Sequence, residues 1–168
     1  MKKSAGLLLL SLAFPAAGSA QAVAALNPLY QMIKGNIIKS AEQMPESNYA
    51  YKPTPEVRSF GQLVGHMANA NFMICSAAKG EKSPATQDFE KTTEKAALVQ
   101  AVKDAFAYCD GAFTMSDAAF APMDKLFGMT MSRLSMLMLN VTHDNEHYGN
   151  MVTYFRLKGM VPPSSQGG

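Results

Sequence analysis

The chain has 168 residues, of which 15 are basic, 13 are acidic and 48% are hydrophobic. This length corresponds to one domain that is large enough to bury its own core. The near-neutral charge provides no basic patch for phosphate groups, so we expect no nucleic acid partner.

The first 22 residues have the pattern of a secretory signal peptide. Two lysines precede an apolar run over residues 5–14, and residues 20–22 fit a signal-peptidase site. The run is shorter than the roughly 20 apolar residues that span a bilayer, and no other segment is apolar enough for stable membrane insertion. We therefore predict that residues 1–22 are removed and that the protein is exported, periplasmic or extracellular. The alternative is a buried N-terminal helix.

Four later segments have helical spacing and are separated by proline and glycine residues. Ser59 and Gln62 resemble a capping box at the start of the second segment, and Gly80 follows its end. Pro28 can open the first helix, and Gly159 can end the last one. The predicted helices cover residues 28–44, 59–78, 93–115 and 130–158.

The segments between these helices are predicted to be loops, since none shows the alternation of a strand. The connection from the second to the third helix is long enough to let those helices run parallel. The sequence therefore predicts an all-α fold, a four-helix bundle, over residues 23–163. Residues 164–168 are predicted to be a disordered tail.

The chain has two cysteines, Cys75 and Cys109, in the second and third predicted helices. In an oxidising compartment such a pair can form a disulfide. Two buried free thiols are the alternative. A disulfide needs Cα atoms within about 7 Å of each other, which the sequence does not decide.

The three histidines of the chain, His66, His143 and His147, all lie inside predicted helices. His143 and His147 are four residues apart, so they share one helix face and can bind one metal ion at about 2.0–2.1 Å. An adjacent helix can bring His66 opposite them. Three imidazoles leave an open coordination position, which is typical of reactive metal sites. Alternatively, each histidine is an ordinary core or surface residue.

Polar residues near the histidines suggest further roles. Four amides lie three or four residues from a histidine, from where they can orient the imidazoles or simply form helix surface: Gln62, Asn69, Asn140 and Asn150. Residues 143–147 also spell H-x-x-E-H, the inverzincin peptidase signature, in which Glu146 would be the general base. That match is short, and we favour metal binding without peptidase chemistry.

The last predicted helix has apolar residues on two opposite sides. Such a helix must be covered on both sides, either by the bundle alone or by the bundle and a second subunit. We therefore predict a homodimer.

Three segments resemble the DinB family of DinB/YfiT-like metalloenzymes. They are EVRSFGQLVGH at residues 56–66, HDNEHYGN at residues 143–150 and LKGMVPP at residues 157–163. The resemblance, which extends over about residues 27–163, implies a four-helix bundle of up-down-down-up order. It also implies a site for nickel, zinc or another divalent metal ion on His66, His143 and His147. Many members are dimers, and characterised members include thiol-dependent transferases and isomerases.

We therefore expect an exported, divalent-metal-dependent hydrolase or transferase that acts on a small molecule. The open metal position would activate water, or a thiol or oxygen of the substrate. One rival is a metal-binding or stress-associated protein without catalysis, which a fourth protein ligand on the metal would favour. Another is a helical interaction module without a metal, whose stability would not respond to a chelator.

Overall fold

The computed structural model describes residues 18–167. Residues 1–17, which hold most of the predicted signal peptide, lie outside the described part. The elements in chain order are α1 (Gly18–Gln43), α2 (Phe60–Lys79), α3 (Lys95–Asp110), α4 (Asp117–Phe120), β1 (Met123–Leu126), β2 (Met129–Ser132) and α5 (Arg133–Leu157). Across residues 18–167, none of the helices combines the length and apolarity that a membrane crossing requires.

Helix α1 runs antiparallel to α3. Near the middle of α1, the Tyr30 hydroxyl donates to the carbonyl of Phe106, close to the end of α3, at 3.0 Å. Just beyond the end of α1, the Met44 carbonyl accepts from Nζ of Lys95, the first residue of α3, at 2.8 Å. The two helices therefore place opposite ends beside each other.

Helix α2 runs parallel to α3 and antiparallel to α5. Cys75, near the end of α2, and Cys109, near the end of α3, form a disulfide with Cα atoms 5.3 Å apart. Phe60 at the start of α2 packs against Phe155 at the end of α5, with ring centroids 6.0 Å apart. Together with the direction of α1, these pairs define the up-down-down-up order that the family resemblance implied. Of the two alternatives for the cysteines, the structure contains the disulfide and not two free thiols.

The core lies between the four long helices. Its side chains are mainly aromatic, aliphatic and methionine, and burying one of these contributes about 1.5–3 kcal/mol. The largest that are fully buried are Tyr30, Phe60, Phe106, Phe155, Ile37, Met44, Met67, Ile74, Leu98, Met136, Leu137 and Met151.

The predicted limits of α2 are confirmed to within one residue. The Ser59 hydroxyl accepts from the Gln62 backbone N–H at 3.2 Å, and the Gln62 side-chain oxygen accepts from the Ser59 N–H at 2.9 Å. Gly80 follows the helix with φ of 70°, a left-handed conformation that glycine adopts without strain. Local sequence thus determines both ends of the helix.

Helix α1 begins ten residues earlier than predicted, and Pro28 lies inside it. A proline removes one helical hydrogen bond, but packing on either side can hold the helix together. Val23, which precedes Pro28 by more than a turn, is buried in the core. The proline therefore does not mark the start of the helix.

The loop predicted over residues 116–129 contains regular structure, so that prediction is wrong. It forms α4 and an antiparallel hairpin of β1 and β2, in which Leu126 pairs with Met129. Phe127 and Gly128 both have positive φ, as tight hairpin turns require. Four-residue strands are too short for a reliable alternation pattern, and here the turn defines them.

The predicted disorder of the tail is also wrong for its first residues. Pro163–Ser165 forms a 3-10 turn, and the Ser164 N–H donates to the Tyr148 hydroxyl of α5 at 2.9 Å. Gln166 bonds the side chain of Gln43 on α1. Contacts with two helices therefore order a segment whose composition is typical of a flexible end.

Candidate metal centre

The three histidines meet at one point between α2 and α5. The Nε2 atom of His66 lies 3.2 Å from that of His143 and 3.1 Å from that of His147, and the last two are 3.1 Å apart. His147 is buried, and the other two are partly buried. The convergence predicted from spacing is therefore present in the fold.

Contacts on both sides of the cluster hold α2 and α5 in register. One turn and a half before His66, Phe60 packs on Phe155. Beyond it, the Asn71 amide donates to Oδ1 of the buried Asp144 at 2.9 Å. Because the helices are antiparallel, these two contacts lie on either side of His66 along α2 and bring its imidazole opposite the pair on α5.

The cluster has the dimensions of a metal site. Three ligands about 2.0–2.1 Å from one ion, at angles between octahedral and tetrahedral, lie about 2.9–3.4 Å from each other. The observed separations of 3.1–3.2 Å fall in this range. The set His66, His143 and His147 can therefore hold one ion.

Glu90 determines which nitrogen of His66 faces the cluster. Its Oε1 lies 2.8 Å from Nδ1 of His66, and its Oε2 accepts from Nε of Arg58 at 2.9 Å. A carboxylate accepts hydrogen bonds, so the imidazole proton lies on Nδ1 and the Nε2 lone pair points at the cluster. This is the arrangement that a metal ligand needs.

Glu90 was not predicted as a site residue, because it lies 24 residues from His66 in a segment predicted to be a loop. The 3-10 turn Phe89–Lys91 carries it. Asn69 docks this turn on α2, with its amide donating to Asp88 at 2.8 Å and its oxygen accepting from the Phe89 N–H at 3.1 Å. Acidic residues in the connection were the only available signal, and several are present.

Asn150 and Asp144 are the groups nearest to the second nitrogens of the histidines on α5. The Asn150 amide lies 3.2 Å from Nδ1 of His147. Oδ1 of Asp144 lies 3.9 Å from Nδ1 of His143, and this Nδ1 is buried without a hydrogen bond within residues 18–167. Asp144 is therefore the carboxylate best placed to accept the His143 proton.

The other predicted polar residues have different roles. Gln62 caps α2, Asn69 docks the turn that carries Glu90, and the Asn140 amide donates to Asn71 at 3.0 Å. Glu146 is exposed on α5. Of the four amides, only Asn150 lies next to an imidazole.

Burial favours the neutral form of two of the imidazoles, those of His66 and His147. It lowers the pKa of His66, against the opposing effect of Glu90, and it lowers the pKa of His147 to about 4 with further contributions from the other two histidines. Burial also raises the pKa of Asp144 to about 6, although the nearby imidazole of His143 and the hydrogen bond from Asn71 oppose this shift. Metal binding requires neutral imidazoles, so the two lowered values favour it at neutral pH.

A cleft of about 660 Å³ opens beside the cluster. His147 and Asn150 form part of one wall, and Arg58 and Glu90 form part of another. Leu63 and Val57 add apolar surface. The volume is that of a small-molecule site.

A helical bundle with three converging imidazoles beside a cleft defines a class of all-α proteins with a candidate metal centre. Residues 29–167 match the model of the DinB family, and the chain belongs to that family. No functionally curated protein matches the sequence.

Solved structures with this fold include two from Bacillus. A DinB-like protein from Bacillus cereus superposes with a TM-score of 0.71 at 17% identity, covering 83% of this chain and 95% of that one. A DinB-like protein from Bacillus subtilis superposes with a TM-score of 0.62 at 18% identity, covering 84% of this chain and 93% of that one. The mycothiol-dependent maleylpyruvate isomerase superposes with a TM-score of 0.63 at 14% identity, covering 77% of this chain and 60% of the isomerase. These likenesses show the fold.

We expect Glu90→Ala to lower the affinity for Zn²⁺ about 10–100-fold, because His66 loses the carboxylate that holds its orientation and tautomer. Competition with a chromophoric chelator measures this. Glu146→Ala is the matched control, since it removes an exposed carboxylate next to His147 on the same helix as two of the histidines. Affinity of Glu90→Ala within twofold of the wild type would contradict the role given to Glu90.

We expect Gly65→Ala in α2 to displace the turn Phe89–Lys91, which carries Glu90. A Cβ at residue 65 would lie 2.3 Å from the Phe89 carbonyl oxygen, so the backbone that carries Glu90 must shift. The expected loss is about 1–3 kcal/mol in the free energy of unfolding, with weaker Zn²⁺ binding. Gly35→Ala in α1 is the control, because its Cβ would have no neighbour within 4 Å. If urea titration gave the same free energy of unfolding for the two variants, this packing constraint would be ruled out.

Proposed function

We propose that this protein is an exported, metal-dependent member of the DinB family that acts on a small molecule. One divalent ion, such as nickel or zinc or a similar metal, would be held by His66, His143 and His147. The observation that supports this most directly is the triangle of Nε2 atoms with sides of 3.1–3.2 Å beside a cleft of about 660 Å³.

A bound ion would supply Lewis acidity to a substrate oxygen or thiol, or to water, at a coordination position that the histidines leave open. The chain's own groups prepare that position. Glu90 and Asn150 orient two of the imidazoles, and Leu63 and Val57 give the cleft some apolar surface. Hydrolysis and group transfer are the reactions that this arrangement supports.

The name of one structural neighbour agrees with small-molecule chemistry, since that protein is a mycothiol-dependent isomerase. Export would separate this chain from low-molecular-weight thiols of the cytoplasm. We therefore place water or a substrate group at the reacting position, with hydrolysis first and thiol transfer second.

Two observations support export. The N-terminal pattern is that of a signal peptide, and the Cys75–Cys109 disulfide suits an oxidising compartment. Mass spectrometry of the protein from fractionated cells tests this proposal. We expect a chain that begins at Val23 in the periplasm or medium, and a full-length chain with free thiols in the cytoplasm would contradict it.

We also propose a homodimer. Leu29 and Met32 of α1 and Met138 of α5 are about half exposed, and they leave apolar surface on two helices. Light scattering after size exclusion tests it. A monomer at high concentration would contradict it.

The test of the proposed function is elemental analysis of the purified mature protein, followed by activity screens. We expect about one divalent ion per chain, and hydrolysis or thiol transfer on a small-molecule panel that stops with a chelator and returns with the metal. Metal without turnover, with a fourth protein ligand in the X-ray absorption spectrum, would favour the non-catalytic alternative. If the protein purifies without metal and a chelator does not change its stability, the result would favour a helical interaction module.

A further inference from the structure

We infer that the cleft binds a small organic carboxylate, and that the guanidinium of Arg58 is the group that recognises it. This inference deepens the proposed function and rests on it, because the carboxylate would lie beside the ion held by the three histidines. Arg58 and His147 line the same cleft of about 660 Å³.

Arg58 has donors left for a ligand. Its Nε donates to Oε2 of Glu90 at 2.9 Å, and its Nη2 lies 3.5 Å from Oε1. A guanidinium has five N–H groups, and within residues 18–167 its Nη1 forms no hydrogen bond. The side chain is 42% exposed, so a molecule in the cleft can reach the remaining donors.

Arg58 is held in place relative to the histidine cluster. The Glu90 carboxylate that it contacts also accepts from Nδ1 of His66, at 2.8 Å. The Tyr154 hydroxyl of α5 donates to the Arg58 carbonyl, which fixes the backbone as well. A guanidinium that Glu90 already orients, on a backbone that Tyr154 holds, needs little further ordering when a ligand binds, and this pre-organisation favours affinity.

Positive charge at the cleft would come from Arg58 and from the ion at the cluster. Arg58 offsets the charge of Glu90, and Glu56, at the edge of the cleft, is exposed. His147 lines the cleft, so a divalent ion held by the three histidines would add positive charge beside it. An anionic ligand would be attracted by both the ion and Arg58.

The N-terminus of α2 does not provide an alternative anion site. The Gly61 N–H donates to the Tyr49 carbonyl at 2.8 Å, and the Gln62 N–H donates to the Ser59 hydroxyl. These backbone donors are thus already satisfied by the chain. Arg58 is the group with free donors at this end of the helix.

The shape and lining of the cleft point to a carboxylate with a short apolar part. Arginine pairs with planar carboxylates through two parallel N–H bonds, which a neutral amide cannot match in charge. Leu63, Val57 and Pro53 supply apolar surface for the remainder of the molecule. Isobutyrate is therefore a suitable probe, and isobutyramide is its neutral isostere.

The experiment is a titration of the Co²⁺-loaded mature protein with each probe, followed by visible absorption, after the cobalt content has been measured. We expect isobutyrate to bind more tightly than isobutyramide. Arg58→Gln should weaken isobutyrate binding about tenfold or more and leave isobutyramide binding unchanged. Arg58→Lys should have an intermediate affinity for isobutyrate, because it keeps the positive charge and loses the two parallel N–H donors of the guanidinium.

Arg156→Gln is the matched control, since Arg156 lies on the exposed side of α5 and donates to Ser165. Wild-type affinity for isobutyrate in cobalt-loaded Arg58→Gln would overturn the inference, as would equal binding of the two probes to the wild type. If Arg58→Gln loses cobalt, Arg58→Lys decides, and wild-type isobutyrate affinity in that variant overturns the inference. Failure of the wild type to hold cobalt would instead refute the proposed metal site, on which the inference depends.

Discussion

His147→Ala is expected to lower the affinity for Zn²⁺ about 100-fold or more. The variant loses a direct ligand, and even loss of a residue that only orients a ligand typically costs 10–100-fold. The two remaining imidazoles, on His66 and His143, still lie 3.2 Å apart, so weak binding should persist. Competition with a chromophoric chelator gives the affinity, and elemental analysis gives the stoichiometry.

Asn145→Ala is the control for this experiment, because Asn145 is exposed on α5 between the two histidines. It should keep wild-type affinity and stoichiometry. Near-stoichiometric metal of wild-type affinity in His147→Ala would mean that His147 is not a ligand. A loss in both variants would point to damage to α5 instead of removal of a ligand.

Loss of the disulfide is the second large effect that we expect. Cys75 and Cys109 are fully buried and 34 residues apart, so the bridge closes a long loop between α2 and α3. Replacing both by alanine should lower the free energy of unfolding by about 2–4 kcal/mol, chiefly because the unfolded chain gains freedom. Urea titration of the oxidised proteins measures the difference.

Reduction provides an independent check on the same bond. Dithiothreitol should move the wild-type transition toward that of the Cys75→Ala/Cys109→Ala variant, and it should leave the variant's own transition unchanged. A variant within about 0.5 kcal/mol of the oxidised wild type would show that the bridge adds little to stability. The loop that it closes includes the turn with Glu90, so Zn²⁺ affinity is worth measuring in the same variant.

Features of the chain that depend on neighbouring residues were predictable. The capping box of Ser59 and Gln62 and the glycine at residue 80 set the limits of α2 within one residue of those predicted. The four-residue spacing of His143 and His147 places both on one face of α5, whatever surrounds the helix. The family resemblance added the up-down-down-up order of the helices.

Features that depend on packing were missed or wrong. Pro28 is typical of a first helical turn, yet α1 continues on both sides of it because the core buries Val23. The strands β1 and β2 are four residues long each, which is too short for the alternation of polar and apolar residues that would predict a strand. The tail is ordered at Ser164 by a hydrogen bond from its N–H to the Tyr148 hydroxyl.

The sequence by itself determined the three imidazoles, because helical periodicity is a local property and only three histidines were available. Only the tertiary structure brought Glu90 to His66, across 24 residues, and paired Glu90 with Arg58, across 32 residues. That approach depends on a turn docked against α2 where Gly65 has no side chain, with Asn69 holding the turn's backbone. This contact depends on how the surface of α2 and the surface of the turn fit together. The two segments are distant in the sequence, and neither has a residue spacing that predicts its contact with the other.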